Sequence, residues 1–166
     1  MIKTFSSKLD FNGEYWRNRY ESYLKHTINY IKKICDEYNI NNTLEIGSYG
    51  IPLIKESDTI DRIKIGSNYP KYNFDITSSV WPIEDKYYDL AISCQVWEHL
   101  KGKQLFAFNE LKRVSKYAIL TLPYKWHCPG NCHHSIDLNV INTWTDNHKI
   151  EFYKIIKNKI LLFYKF

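Results

Sequence analysis

The stretch from Thr43 to Gly50, with the sequence TLEIGSYG, combines an apolar run, an acidic residue and two glycines. It predicts a buried strand that ends in a tight turn. Glycine permits positive φ angles and lets the backbone approach a ligand closely, and the free N–H groups of such a turn can bind polar ligand atoms. The stretch favours a nucleotide-binding turn, although a purely structural turn would also need glycine.

Two aspartates, Asp61 and Asp75, lie in the next two β-like segments. Open parallel sheets bind ligands beyond the carboxyl ends of their strands, where the strand order reverses. We expect both carboxylates to lie at this edge, together with the glycine turn and the residues after Cys94. Each has a structural alternative, because Asp61 could cap a turn and Asp75 could form an Asx turn.

A segment rich in histidine and cysteine, HCPGNCHH, covers residues 127–134. Histidine suits general base catalysis because its pKa lies near neutrality, and the segment follows a predicted strand at the same edge. We predict His133 or His134, rather than His127, as the base for an acceptor that must lose a proton. The alternative is that these side chains cap the next helix or hydrogen-bond to Asp137.

The same segment carries ligand types that zinc prefers. A zinc site would use Cys128, Cys132, His127 and His133. The C-x-x-x-C spacing matches common zinc sites poorly and no second cysteine pair exists, so we predict free thiols and no metal. A Cys128–Cys132 disulfide is not expected in a reducing cytosol.

Alternating helical and β-like segments must position these residues. Apolar side chains recur at helical steps from Glu14 to Tyr38, and the part from Tyr15 to Tyr20 could pack on the sheet or close over a ligand. About one helical turn is expected near Pro52, and no helix between the second and third strands. The predicted strands are 43–47, 59–63, 72–76, 88–94, 117–122, 151–156 and 160–164, with helices at 103–114 and within 136–145.

These elements predict an α/β three-layer, Rossmann-like fold. Its sheet is mostly parallel with a C-terminal antiparallel hairpin, and the helices after strands one and two are shortened or missing. The 166 residues fit a single domain. Within it, residues 1–12 form a polar N-terminal arm and residues 14–38 the N-terminal helix.

The composition limits the kinds of partner. The formal charge is +5, with 23 Lys and Arg against 18 Asp and Glu, which is weak support for nucleic acid binding. The sequence has no apolar run of about 18 residues and no secretory signal pattern. We expect a cytoplasmic protein without membrane insertion or a nucleic acid partner, and the oligomeric state, including a homodimer, stays open.

Five segments in the same order resemble the class I S-adenosylmethionine-dependent methyltransferases, of the small type 11 sort. The segment WPIEDKYYDLAISCQVWEHL, residues 81–100, is the most specific match. The departures are Tyr49 at the middle glycine of the first motif, Ser115-Lys116 in place of a glycine pair, and the missing helices. The other matching segments are LEIGSYG (44–50), TID (59–61), FDIT (74–77) and LKRVSKYAILTLP (111–123).

The resemblance implies S-adenosylmethionine as the cofactor and a role for each matched residue. Asp61 would accept hydrogen bonds from the ribose hydroxyls, and Asp75 from the adenine amino group, with Ile76 packed on the ring. The Glu98-His99 pair would brace its loop or react. Glu45 and Gly47 would lie near the methionine end, Ser48, Tyr49 and Gly50 would wall that side, and Gln95 and Val96 would line the cofactor and face the substrate.

The predicted function is methyl transfer to nitrogen or oxygen of a small molecule or a cell-surface or glycan precursor. The short chain motivates the small acceptor, because the sequence carries no insertion that could hold a macromolecule. Tyr49 and the missing helices motivate one alternative, a non-catalytic methyltransferase-like binding module. The other is an RNA methyltransferase, although the residues after Cys94 lack the proline motif of many base-methylating enzymes.

Overall fold

The computed structural model describes residues 3–64, 69–126 and 135–166, which form one six-stranded sheet with helices on both faces. The first four strands run parallel and the last two antiparallel, in the order β2-β1-β3-β4-β6-β5. This confirms the predicted fold class. The strands are β1 (Thr43–Ile46), β2 (Asp58–Ile60), β3 (Tyr88–Cys94), β4 (Ser115–Pro123), β5 (Phe152–Ile156) and β6 (Lys159–Lys165).

Strand β3 lies at the centre of the sheet, and its side chains are buried on both faces. Leu90 and Ile92 belong to the core beneath the N-terminal helix, while Ala91 belongs to the core on the opposite face. A parallel strand covered on both sides needs such a continuous apolar run. The helices are α1 (Glu14–Arg19), α2 (Lys25–Glu37), α3 (Gln104–Val114) and α4 (Leu138–Trp144).

A single π-helical turn, Tyr20–Leu24, joins α1 to α2, so the N-terminal helix is continuous. Its sheet-facing residues include Ile28 and Ile31, which are buried. The helix ends where Asn39 adopts a left-handed conformation with φ 51°, as asparagine often does beyond a C-terminus. The periodicity of the sequence located this helix to within one residue of its observed end.

The region between β1 and β2 contains no helix. Instead of the predicted turn near Pro52, residues 51–57 extend past the N-terminal arm. The Leu53 carbonyl accepts from Ser6 N at 2.9 Å, and the Lys55 N–H donates to Thr4 O at 2.8 Å. The arm occupies the place where a crossover helix would lie, and its Phe11 is buried.

The third predicted strand, residues 72–76, is wrong as a strand. Tyr72 forms one isolated parallel bridge with Ile60, and the chain then turns, with Ser78 N donating to Asp75 O at 3.0 Å. Strand β2 also stops at Ile60, so Asp61 follows the strand. The short, polar pairing edge gives these residues too few partners to extend the ladder.

Helix α3 holds the loop that precedes β3. Trp81 N donates to Glu110 Oε2 at 2.7 Å, and Arg113 Nη2 donates to Trp81 O at 2.9 Å. Arg113 also forms an ion pair of 2.7 Å with Glu110. Hydrogen bonds between Trp81 and helix α3 therefore connect segment 81–100 to segment 111–123, two of the segments that carry the family resemblance. None of the described helices has the length and apolar composition of a membrane span.

Candidate functional site

The glycine turn begins directly after β1, at the carboxyl edge of the sheet. Gly47 and Gly50 have φ angles of 70° and 76°, and Tyr49 between them has φ 53°. Ile51 N donates to Ser48 O at 3.1 Å, which closes the turn. A Cβ atom at Gly47 would lie 2.5 Å from Val96 Cγ2, so packing against the loop after β3 already requires glycine here.

Asp61 lies beside this turn. Its Oδ2 accepts from Tyr49 N at 3.1 Å, and its Oδ1 accepts from Ile63 N at 3.2 Å. The second bond caps a local turn, which is the structural role that the sequence analysis gave as the alternative for Asp61. Each carboxylate oxygen has a further lone pair, so Asp61 remains able to accept from a ligand hydroxyl.

Glu45, the third residue of β1, is 3% exposed and its side chain is buried in the fold. Its Oε2 and Oε1 accept from Leu53 N and Ile54 N, both at 2.7 Å. Burial raises the pKa of Glu45 to about 7, against the opposing effect of these two N–H groups. Glu45 thus fixes the helix-free segment that follows the glycine turn.

Asp75 forms the Asx turn that the sequence left as its alternative. Its Oδ1 accepts from both N and Oγ1 of Thr77, at 2.9 and 2.7 Å, and these bonds hold the pKa of Asp75 below its usual value. Ile76 is 6% exposed and belongs to the core around Trp81. Little of the Ile76 side chain is therefore exposed for the predicted contact with an adenine ring.

The loop after β3 begins with Gln95, whose φ is 60°. Gln95 N donates to Thr121 O at 2.8 Å, and Nε2 lies 3.4 Å from Thr121 Oγ1. Val96 is partly buried against the core. Both residues stand at the edge where the sequence predicted them, between β3 and β4.

Glu98 is a buried carboxyl group on the turn after Val96. It is 3% exposed, and its Oε2 has no hydrogen-bond partner among the described residues. Burial raises the pKa of Glu98 to about 7. His99 Nε2 lies 3.8 Å from Oε1. Only Oε2 of this carboxyl therefore lacks a partner among the described residues, while Oε1 faces His99.

Two cavities adjoin the glycine turn, and Ser48 and Ile51 line both. The larger is a cleft of about 550 Å³ over the face of β2 that has no helix, and Gly50 and Asp61 lie in its wall. The smaller is a cavity of about 40 Å³ beneath the N-terminal helix. Sequence reasoning missed the arm, whose Ser6 and Asp10 form part of the wall of the cleft. The signal that could have indicated its packing is the pair of aromatic residues in it, Phe5 and Phe11.

The predicted catalytic and metal-binding residues in segment 127–134 lie outside the described residues. This applies to His133 and His134 and to the zinc alternative of Cys128, Cys132, His127 and His133. Within residues 3–64, 69–126 and 135–166, no group of three or more His, Cys, Asp or Glu residues could hold a metal ion. The described free cysteines are Cys35 and Cys94.

No family model and no curated protein sequence matches the chain, but solved structures do. An S-adenosylmethionine-dependent methyltransferase from Clostridium acetobutylicum is similar with a TM-score of 0.63 at 10% identity, over 89% of this chain and 96% of that one. The magnesium protoporphyrin IX methyltransferase from Synechocystis, with bound SAH, has a TM-score of 0.63 at 13% identity, over 92% and 87%.

A third similar structure is the N-methyltransferase NodS from Bradyrhizobium japonicum. Its TM-score is 0.53 at 16% identity, over 76% of this chain and 85% of that one. These likenesses agree with the strand order, the glycine turn after β1 and the antiparallel β6. The chain therefore has the fold of the class I S-adenosylmethionine-dependent methyltransferases.

Proposed function

We propose that this chain is an S-adenosylmethionine-dependent methyltransferase that acts on nitrogen or oxygen of a small molecule or of a cell-surface or glycan precursor. The observation that carries the proposal is the position of Asp61. Its carboxylate accepts from Tyr49 N in the glycine turn, beside β1, where an open α/β sheet binds its ligands. The two similar methyltransferases that act on nitrogen or on a porphyrin support a small acceptor.

The residues at this edge fit the cofactor. Asp61 would hold the ribose hydroxyls through its free lone pairs. Ser48 and Gly50 would wall the amino-acid side, and Gln95 would line the opposite side. The cleft of about 550 Å³ is within the range of roughly 300–1,000 Å³ for small-molecule sites. For the adenine amino group, Asp75 keeps Oδ2, because both hydrogen bonds from Thr77 use Oδ1.

The cofactor, when bound, supplies a methyl group on a sulfonium that is already an activated leaving group. The protein's main contribution is then to orient the acceptor, which can lower a barrier by roughly 7–11 kcal/mol. For an acceptor that must lose a proton, we propose His133 or His134 as the base.

Calorimetric titration with S-adenosylhomocysteine tests the proposal. We expect the wild-type protein to bind, and the Asp61→Asn variant to bind about 10-fold more weakly, because a neutral amide loses the charge-assisted bonds to the ribose. Asp146→Asn is the matched control, since Asp146 is an exposed aspartate in the turn after α4. No binding at millimolar ligand, or equal affinity of the wild type and Asp61→Asn, would contradict the proposal.

One observation favours a second function, that of a non-catalytic binding module. The Val96 methyl group stands against Gly47, and the Tyr49 side chain projects from the turn, 49% exposed. Both groups occupy space that a ligand would need in order to contact the backbone of the glycine turn. A folded wild-type protein that does not bind S-adenosylhomocysteine would favour this module over the enzyme.

A further inference from the structure

Strand β5 forms the free edge of the sheet opposite to β2. It pairs with β6 on one side, and no described strand pairs with its other side. Three of its side chains are large, apolar and exposed, since Phe152, Tyr153 and Ile155 are 40%, 50% and 47% exposed. No other strand in the described part of the chain exposes a large apolar side chain. An unpaired edge of this kind is a template for an additional strand.

A groove of about 250 Å³ lies beside this edge, between β5 and α2. The helix contributes four residues from His26 to Lys33 with the spacing of one helical face, and β5 contributes alternate residues from Phe152 to Ile156. The Tyr30 ring stacks on the Phe152 ring, with 4.8 Å between their centroids, and the buried Leu161 of β6 completes the lining. A strand edge next to such a groove is suited to an extended peptide, whose alternate side chains enter pockets.

The rim of the groove is basic. Lys33 and Lys154 lie on opposite walls, and both are exposed, as is His26. No acidic residue lines the groove, and none of the ion pairs in residues 3–64, 69–126 and 135–166 includes Lys33 or Lys154. A surface of one charge sign attracts a partner of the opposite sign, so this rim favours an acidic partner.

A second copy of this chain fits the free edge poorly. Lys154 is the central residue of β5. When two β5 strands pair antiparallel over their whole length, Lys154 lies directly opposite its own copy, and like charges in that position are destabilising. The basic rim of one groove would also lie near the basic rim of the other. The charge around the edge therefore favours a different, acidic chain.

A nucleic acid would match the positive charge but not the rest of the surface. Its phosphates would suit Lys33 and Lys154, and its bases would need free ring faces on which to stack. The rings of Tyr30 and Phe152 already stack on each other. A nucleic acid also has no main-chain N–H and C=O groups to pair with β5, whereas an extended peptide has both.

We propose that β5 and the groove beside it bind an extended acidic segment of a partner protein, which adds a strand to the sheet. One apolar side chain of the segment enters the groove beside Phe152, and its carboxylates pair with Lys33 and Lys154. Tyr153 and Ile155 pack against the side chains on the other face of the added strand. The inference is independent of methyl transfer, because β1 and its glycine turn are separated from β5 by three strands.

The preference for an acidic segment is tested with two labelled peptides, EEFVFVEE and KKFVFVKK, which share an apolar centre. In fluorescence anisotropy, we expect the wild-type protein to bind the acidic peptide about 10-fold more tightly than the basic one. The double variant Lys33→Glu/Lys154→Glu should reverse this preference. The matched control, Lys101→Glu/Lys112→Glu, changes the net charge equally at two exposed lysines outside the groove and should keep the preference for the acidic peptide.

The addition of a strand is tested with two N-methylated forms of EEFVFVEE, each methylated on one alternate set of residues. N-methylation removes main-chain donors, so the form whose methyl groups face β5 should bind at least about 10-fold more weakly. Unchanged affinity of both forms would overturn the inference. No binding at millimolar peptide, or equal affinity of the wild-type protein for EEFVFVEE and KKFVFVKK, would overturn it as well.

Two further measurements test the other occupants. Sedimentation of the wild-type protein should give the same oligomeric state with and without EEFVFVEE, and a dimer that the peptide dissociates would assign the edge to a second copy. Oligouridine should not displace labelled EEFVFVEE, and displacement at a lower concentration than unlabelled EEFVFVEE requires would assign the groove to a nucleic acid. Either of these two assignments would overturn the inference.

Discussion

Replacement of Glu45 by glutamine removes one buried titratable group from the wall of the small cavity. Glu45 is 3% exposed, and burial raises its pKa from 4.5 to about 7. The native state therefore binds this proton more tightly than the unfolded state does. The free energy of unfolding must rise as the pH falls from about 7 to 4.5, and this contribution is lost as the pH rises to about 7.

The size of the effect follows from the two pKa values. Between about pH 7.5 and pH 5.5, a shift from 4.5 to about 7 adds about 2 kcal/mol to the free energy of unfolding. Glu98 has its pKa raised to the same value and adds an equal amount in the same direction. We expect Glu45→Gln to reduce the pH-dependent gain of the wild type by about 2 kcal/mol, whatever constant offset the lost N–H acceptor causes.

Urea unfolding at about pH 5.5 and 7.5 measures the gain for both proteins with one protocol. Glu84→Gln is the matched control, because Glu84 is an exposed glutamate, and it should keep the wild-type difference. The reasoning is refuted if the wild type and Glu45→Gln gain equally on acidification. Glu45 would then be ionised over the whole range, with the two N–H groups outweighing the effect of burial.

The other predictions concern the glycine turn. Gly47→Ala should lower the free energy of unfolding by about 2–3 kcal/mol, since its Cβ would lie 2.5 Å from Val96 Cγ2; Gly102→Ala, with φ 86° but open space, should lose only about 1 kcal/mol in the same urea experiment. A loss no larger than that of Gly102→Ala would contradict the close contact. Tyr49→Gly should tighten S-adenosylhomocysteine binding in calorimetry, because it removes a left-handed tyrosine, φ 53°, and opens the turn. Weakened or unchanged affinity would count against this account.

The sequence predicted well those elements that carry a continuous apolar run or a clear hydrophobic periodicity. Strand β3 has the predicted bounds Tyr88–Cys94, because a continuous apolar run can be buried on both faces. The N-terminal helix and the hairpin of β5 and β6 were found from their periodicity. The prediction of a third strand at residues 72–76 was wrong. The composition of this segment is β-like, but only Tyr72 pairs with a neighbouring segment, in a single bridge to Ile60.

At the site, the sequence alone determined which residue types meet at the carboxyl edge. Order along the chain and the strand pattern brought the glycine turn, Asp61 and Gln95 to one edge, since parallel strands end together. It could not determine what each side chain binds. Asp75 bonds to Thr77, and Glu45 to the segment that replaces a crossover helix.

Tertiary structure alone decided which groups were left without partners. Glu98 lacks a hydrogen bond to Oε2 in the described part of the chain, and no spacing in the sequence distinguishes it from Glu84. The physical reason is that burial and pairing depend on residues distant in sequence, such as Gly47 and Cys94 opposite Arg19. The sequence determined the residue types at this edge, and the packing of α1 over the glycine turn determined which of them are buried and which are paired.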